Sequence, residues 1–203
     1  MIETTITPSI ASRPVYSRLE PRPGKAHLLI ADAEGAEAIL ALAEVAPRDF
    51  FAQAHIIHIR KTTAGTYTER LRGLKPSQFY SGPTYEAAVP RIRRTLLGAH
   101  MGLQVYLAGT ESLMGQAMQE AAQAGIPYGA IQAEHRGSTA RRMQCVHCKG
   151  ITEDVTTDPF VCSHCGLHLF VRDHYSRRLA AFQGVRVDAE DPGNIPEPVE
   201  RFR

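Results

Sequence analysis

The chain has 203 residues, of which 43% are hydrophobic and 22% charged, and a formal net charge of +2. That length allows one domain, or one plus a small appendage, and so small a charge excludes a nucleic-acid or membrane partner chosen by bulk electrostatics alone. No apolar run approaches the ~20 residues that cross a bilayer, and Met1-Ile2-Glu3-Thr4-Thr5-Ile6-Thr7 lacks a basic start and apolar stretch, so a soluble cytoplasmic protein with reduced thiols is expected.

Residues 1–25 hold Pro8, Pro14, Pro21 and Pro23 among polar residues and read as an extended N-terminal arm. Residues 26–140 alternate between strand-like and helix-like segments. His27-Leu28-Leu29-Ile30-Ala31 is a short apolar run followed by an alanine-rich helical pattern from Glu34 to Glu44. Ala54 to Ile59 is a second, β-branched run, Gln78 to Ser81 a weaker third, Leu103 to Ala108 a fourth, and Ala130 to Ala133 a fifth. Between the last two, Ser112 to Ala124 reads as a helix with Thr110 or Ser112 as N-cap and Gly125 just past its end. Ile126-Pro127 stops it. Strands alternating with helices predict an α/β fold with a parallel, Rossmann-like sheet covered on both faces.

Residues 141–173 carry all four cysteines, Cys145-Val-His-Cys148 and Cys162-Ser-His-Cys165, with thirteen residues between the pairs. Each C-x2-C pair can turn two sulfurs toward one point, and the intervening span suits a hairpin that brings the two knuckles together. The spacing predicts a tetrahedral site for one metal ion, in a zinc-ribbon or rubredoxin-like module. Zinc and iron both suit four thiolates. Rubredoxin-type iron knuckles usually carry a proline and a glycine, whereas the first knuckle here has Val146, His147 and Lys149, and only the second is followed by a glycine, Gly166. That composition favours zinc. His147, His164 and His168 read as exposed residues or donors to the sulfurs, because four thiolates complete the site. Residues 174–203, with Asp191-Pro192-Gly193, Pro196 and Pro198, read as an irregular tail along a surface.

His55 and His58 stand at odd spacing on the second strand and face opposite sides, so they do not form a metal pair. Arg91, Arg93 and Arg94, with Arg136, Arg141 and Arg142, make the main basic clusters. Glu86, Glu134 and Asp154 interrupt them, which points to a protein partner or solvent rather than to nucleic acid. Met101, Met114 and Met118 read as core or interface filler. No Ser/His/Asp set or paired carboxylates can be assembled from spacing, so neither a catalytic nor an organic-cofactor-binding residue is assigned.

Val105-Tyr106-Leu107-Ala108-Gly109-Thr110, with its helix and the segment from Ile126-Pro127 to Glu134, resembles the nucleotide-binding half of ferredoxin–NADP reductase-type flavoproteins. The likeness covers roughly residues 26–136. The family's glycine-rich turn is replaced by Ala31-Asp32-Ala33-Glu34-Gly35-Ala36. Two carboxylates, Asp32 and Glu34, would then occupy the anion site at a helix N-terminus, where they cap and charge the helix and repel a pyrophosphate. The family's Cys-Gly-Pro is matched by Ala108-Gly109-Thr110, without the thiol, and about 25 residues before the first strand cannot build a flavin barrel. A degenerate reductase-like domain joined to a four-cysteine ribbon and to the segment His174–Val185 resembles the small subunit of bacterial dimethylamine monooxygenases, multi-subunit NADPH-dependent haem enzymes that demethylate secondary amines. The resemblance implies an accessory, structural or electron-relaying role. It places haem, flavin and NADPH on partners, a haem-bearing oxygenase subunit and a flavin/iron–sulfur reductase subunit, and it weighs toward iron at Cys145, Cys148, Cys162 and Cys165. The alternative is a stand-alone zinc-ribbon module that binds nucleic acid or a regulatory protein.

Overall fold

Strands that are apolar at nearly every position need cover on both faces, and the chain supplies it. A computed structural model describes residues 14–60 and 65–203. The first half of the expected arm, with Pro8, lies outside the described residues. Five strands, β1 (Ala26–Asp32), β2 (Ala54–Ile59), β3 (Gln78–Gly82), β4 (Leu103–Gly109) and β5 (Ile131–His135), form one parallel sheet in the order β3-β2-β1-β4-β5. Because successive side chains alternate between faces, Leu28, Ile30, Ile57, Val105 and Leu107 pack in one core layer. Leu29, Ala31, Ile56, Tyr106 and Ala108 pack in the other.

Helices α1 (Gly35–Val45) and α2 (Gly65–Gly73) cover the second layer, and α3 (Tyr85–Leu97) and α4 (Glu111–Gln123) the first. Gly35 is required at the start of α1: a Cβ there would lie 2.1 Å from the carbonyl oxygen of Ala108 on β4. Sequence reading assigned no helix at α3, whose interior contains Pro90. The helix persists because Thr84 caps it, accepting the Ala87 N–H at 3.3 Å, and because Tyr85, Ala88, Ile92 and Leu96 bury one stripe. Residues 14–25 run over the β5 edge: Ser17 N–H donates to Ala133 O, and the amides of Leu19 and Glu20 donate to the side chains of Glu134 and Gln132. An edge strand is thereby covered.

The C-terminal part forms a second sheet from β6 (Arg141–Cys145), β7 (Ile151–Val155), β9 (Phe160–Val161), β10 (His168–Ser176) and β11 (Ala181–Arg186), in the order β7-β6-β11-β10-β9. The expected division between ribbon and tail at 173/174 falls inside β10, and the structure corrects it. Residues 174–186 complete the ribbon's sheet, with Ala180, Ala181 and Phe182 buried in it. Only the last residues behave as a tail, and they are tied back. The short strand β12 (Val199–Glu200) pairs with β8 (Thr157–Asp158), Arg201 bonds Asp158 at 2.9 Å, and Thr139 N–H donates to Arg203 O. No helix among the described residues is long and apolar enough to cross a membrane.

The two units are joined by one face of α4. Glu111, Ser112, Gly115 and Gln119 lie toward the ribbon, where buried Arg142 spans the joint. Its guanidinium donates to Gln119 Oε1 and Glu153 Oε1, both at 2.8 Å, and to the carbonyls of Leu179 and Ala180. Gly115 makes room for it, since a Cβ there would sit 2.8 Å from Arg142 Cδ. Ser112 Oγ accepts the Asp154 N–H at 3.2 Å and Glu111 the Arg142 N–H at 3.4 Å.

Burial leaves titratable groups out of their ordinary range. Desolvation lowers His55 and His58 to about 4, so both are neutral, with ring nitrogens shared with Thr95 and Thr68. Desolvation raises Glu111 to about 7, against the Arg142 N–H and the charges of Arg141 and Arg142. The histidines contribute stability at pH above about 6.5 that is lost as pH falls toward about 4. Glu111 runs the other way: its contribution is complete below about 4.5 and is lost as pH rises through about 7. Glu111→Gln removes the opposing trend. Urea unfolding of the variant should show a gain of about 2 kcal/mol at pH 8 and a steeper loss than wild type between pH 7 and 5. Parallel pH profiles for the two proteins would contradict this assignment.

Candidate metal centre

The two cysteine pairs sit in knuckles with the same backbone pattern. In the first, Lys149 N–H donates to Cys145 O and Cys145 N–H to Gly150 O, each at 2.9 Å. In the second, Gly166 N–H donates to Cys162 O at 3.0 Å and Cys162 N–H to Leu167 O at 2.9 Å. The residue after each second cysteine is left-handed, Lys149 at φ 65° and Gly166 at φ 72°. Beyond that turn the backbone aims amides at sulfur: Gly150 N–H at Cys148 Sγ, Leu167 N–H at Cys165 Sγ, and the His164 and Cys165 amides at Cys162 Sγ.

One knuckle joins β6 to β7 and the other joins β9 to β10, and the two face one another. Cys145 Sγ lies 3.8 Å from Cys165 Sγ, Cys148 Sγ lies 3.7 Å from Cys162 Sγ, and all four sulfurs are within 4.8 Å of one another. A tetrahedron of thiolates about 2.3 Å from a central ion has edges of about 3.8 Å, so the four sulfurs could hold one metal ion without rearrangement. The thiols also behave as one set. Burial raises Cys162, but the amides of Cys165 and His164 and the sulfurs of Cys165 and Cys148 outweigh it and lower the group to about 6. At Cys165 the Leu167 amide lowers the pKa, while burial and the other three sulfurs outweigh it and raise the group. Cys145 and Cys162 are buried, and Cys148 reaches the surface.

The three nearby histidines stay outside this cluster. His164 Nε2 is 2.7 Å from Ile151 O, and its ring lies against Gly150, where a Cβ would be 2.4 Å from it. His147 is exposed, and His168 pairs with Val161 in the ribbon's sheet. Among the described residues, the four cysteines are the only group placed to hold a metal ion.

At the switch point of the α/β sheet, between the carboxyl ends of β1 and β4, doubly wound folds seat their ligands. Here Asp32 fills that crevice. Its carboxylate is 1% exposed as part of a buried residue, and it accepts the Thr110 hydroxyl at 2.7 Å and the Thr110 N–H at 3.3 Å. A Cβ on Gly109, at φ 135°, would lie 1.9 Å from Asp32 Oδ1. Asp32 therefore serves the N-terminus of α4, while Glu34, the N-cap residue of α1, makes no side-chain cap. Glu34 lies under Gly137, and Arg136, paired with Glu134, donates its N–H to Gly109 O.

The arginine clusters are largely consumed inside the fold. Arg142 locks the joint, Arg141 bonds Asp173 and lies over the rings of Phe182 and Phe202, and Arg93 makes a two-point pair with Glu120 at 2.7 Å. Met114 is core and Met118 packs against it, but Met101 is 93% exposed and is not part of the core.

A degenerate Rossmann-like domain locked to a four-cysteine ribbon defines the class of this protein. Residues 8–131 match the family described as dimethylamine monooxygenase subunit DmmA-like, N-terminal domain, and residues 142–185 match the corresponding C-terminal domain. The chain belongs to this DmmA-like family. It is 34% identical over 104 residues to the heme-dependent oxidative N-demethylase delta subunit of Ectopseudomonas mendocina (strain ymp), covering 51% of this chain and 59% of that protein. The matched part thus spans about three fifths of that relative's length. Among solved structures, the flavohemoglobin of Malassezia yamatoensis with bound FAD and heme aligns at 18% identity and a TM-score of 0.40, over 57% of this chain and 33% of that one.

The strained first knuckle gives a direct check on this geometry. A left-handed lysine costs about 1–2 kcal/mol, part of which glycine's greater chain entropy offsets. Lys149→Gly should stabilise the metal-loaded chain by about 0.5–1 kcal/mol in chemical unfolding, and Gly166→Lys should destabilise it by a similar amount. Opposite signs would show that the knuckle turns are built otherwise.

Proposed function

We propose that this chain is an accessory subunit of an oxidative N-demethylase complex. In this reading Cys145, Cys148, Cys162 and Cys165 bind one zinc or iron ion, and haem, flavin and NADPH reside on partner subunits. The reading rests on family membership and on one structural contrast: the ligand crevice of the α/β sheet is filled by Asp32 and Thr110, while the sulfur tetrahedron is kept at metal-binding dimensions. A bound iron would supply a one-electron couple, and a bound zinc a fixed cross-link between the knuckles. The residues of this chain deliver thiolates to that ion, and the amides of Gly150, His164, Cys165 and Leu167 disperse their charge. Arg142 couples the ribbon's position to α4, so the metal centre and the Rossmann-like sheet act as one rigid platform.

The substrate of the assembled complex is a secondary amine, dimethylamine, cleaved to methylamine and formaldehyde, in the cytoplasm. The nucleic-acid alternative gains no support from the arginines, since Arg93, Arg136, Arg141 and Arg142 are paired with carboxylates. The test is co-expression of the full chain with a haem-bearing oxygenase subunit and a flavin/iron–sulfur reductase subunit, followed by size exclusion and turnover assays. The chain should co-elute, NADPH-dependent loss of dimethylamine should require it, and calorimetry on the chain alone should detect no micromolar NADPH binding. A chain that elutes alone, beside partners that turn over at full rate, would refute the subunit reading.

A further inference from the structure

We infer that the groove at the N-terminal edge of the parallel sheet docks an acidic, flexible segment of a partner subunit. The inference rests on the subunit reading above and specifies where the contact is made. The groove, of about 980 Å³, lies on the side opposite the Asp32 crevice, between the starts of β1 to β4 and the outer face of α3. It exists because the α3 stripe next to the buried one is small or cationic: Ala87, Pro90 and Gly98 leave space, and Arg91 and Arg94 project beside it.

Lys25, Arg91 and Arg94 line the groove, and no carboxylate does. Arg93, one position away on the same helix, is neutralised by Glu120, and so is nearly every arginine of the ribbon joint. Among the described residues, Arg91, Arg94 and Lys25 form no ion pair, and Arg91 lies 5.0 Å over the ring of Tyr80. Among the described residues, the groove thus gathers three cations without an ion pair and without a carboxylate in its lining.

Two features favour an acidic polypeptide over a compact phosphate. The wall includes the last turn of α3, with Arg94, Thr95 and Gly98, whose carbonyl end disfavours a compact, multiply charged anion more than single carboxylates spread along a chain and held by side chains. Met101, 93% exposed, lines the groove, and Leu97, 80% exposed, ends α3 just before the lining residue Gly98; both are large apolar side chains of the kind that a partner chain covers at an interface. Dispersed cations with an apolar rim match a carboxylate-bearing segment that also carries apolar residues.

The experiment uses the full chain co-expressed with the haem-bearing and flavin-bearing subunits. The double variant Arg91→Glu/Arg94→Glu touches neither the core nor the cysteines, and circular dichroism and metal content verify its fold. Its affinity for the partner subunits should fall about 100-fold, with the salt dependence of the wild-type association flattened. The Met101 methyl resonance of the wild-type chain should shift on assembly. A double variant that assembles with wild-type affinity and salt dependence overturns the docking site and leaves the subunit reading standing. A wild-type chain that joins no complex overturns both. The isolated chain is also titrated with inorganic pyrophosphate: no saturable shift of Met101 below millimolar concentration is expected, and micromolar binding would overturn the inference in favour of a small phosphate ligand.

Discussion

Four sulfurs held within 4.8 Å of one another are a set of anions in waiting. Thiolates at that separation repel strongly in a partly buried site, and only a cation between them, or protons on them, makes the arrangement tolerable. The C-terminal unit of the chain is organised around this constraint. Both knuckles turn left-handed at the same position so that amides reach the sulfurs, even where the residue is lysine rather than glycine. The ribbon's own apolar core is small: Met143, Val155, Phe160, Leu169 and Phe182 with two of the cysteines. A bound ion would supply a module of this size with much of its folding energy.

A ribbon with so small a core could hang loosely from the α/β unit. Arg142 prevents that, because its buried guanidinium is satisfied only when α4, β7 and the turn before β11 are in register. Removing any one of these partners leaves a buried charge underpaired, which is costly. In the α/β sheet, meanwhile, a buried carboxylate occupies the switch point. Asp32 serves the N-terminus of α4 at the switch point, and α4 is the helix that carries the joint. The switch point of the sheet is thereby tied to the helix that positions the cysteine ribbon.

The parallel sheet and the cysteine cluster were legible because their signals are local. β-branched runs alternate with helical patterns, and a C-x2-C pair folds into its knuckle from a handful of consecutive residues. What was hidden depends on distant partners. Asp32 was assigned to the helix that follows it, but its hydroxyl partner, Thr110, lies 78 residues on. Arg142 read as one of a basic cluster because Gln119, Glu153 and two backbone carbonyls cannot be foreseen from its neighbours. Pro90 disguised α3, whose cap and buried stripe outweigh one missing hydrogen bond. The segment 174–186 looked like tail because its short strands gain meaning only beside β6.

The central claim is that this chain carries one metal ion on four sulfurs, and X-ray absorption of the anaerobically purified full chain tests it most directly. A single zinc or iron per chain, with four sulfur neighbours at about 2.3 Å and no nitrogen or oxygen in the first shell, is the expected result. A substoichiometric metal, or a shell that includes a histidine nitrogen, would contradict it.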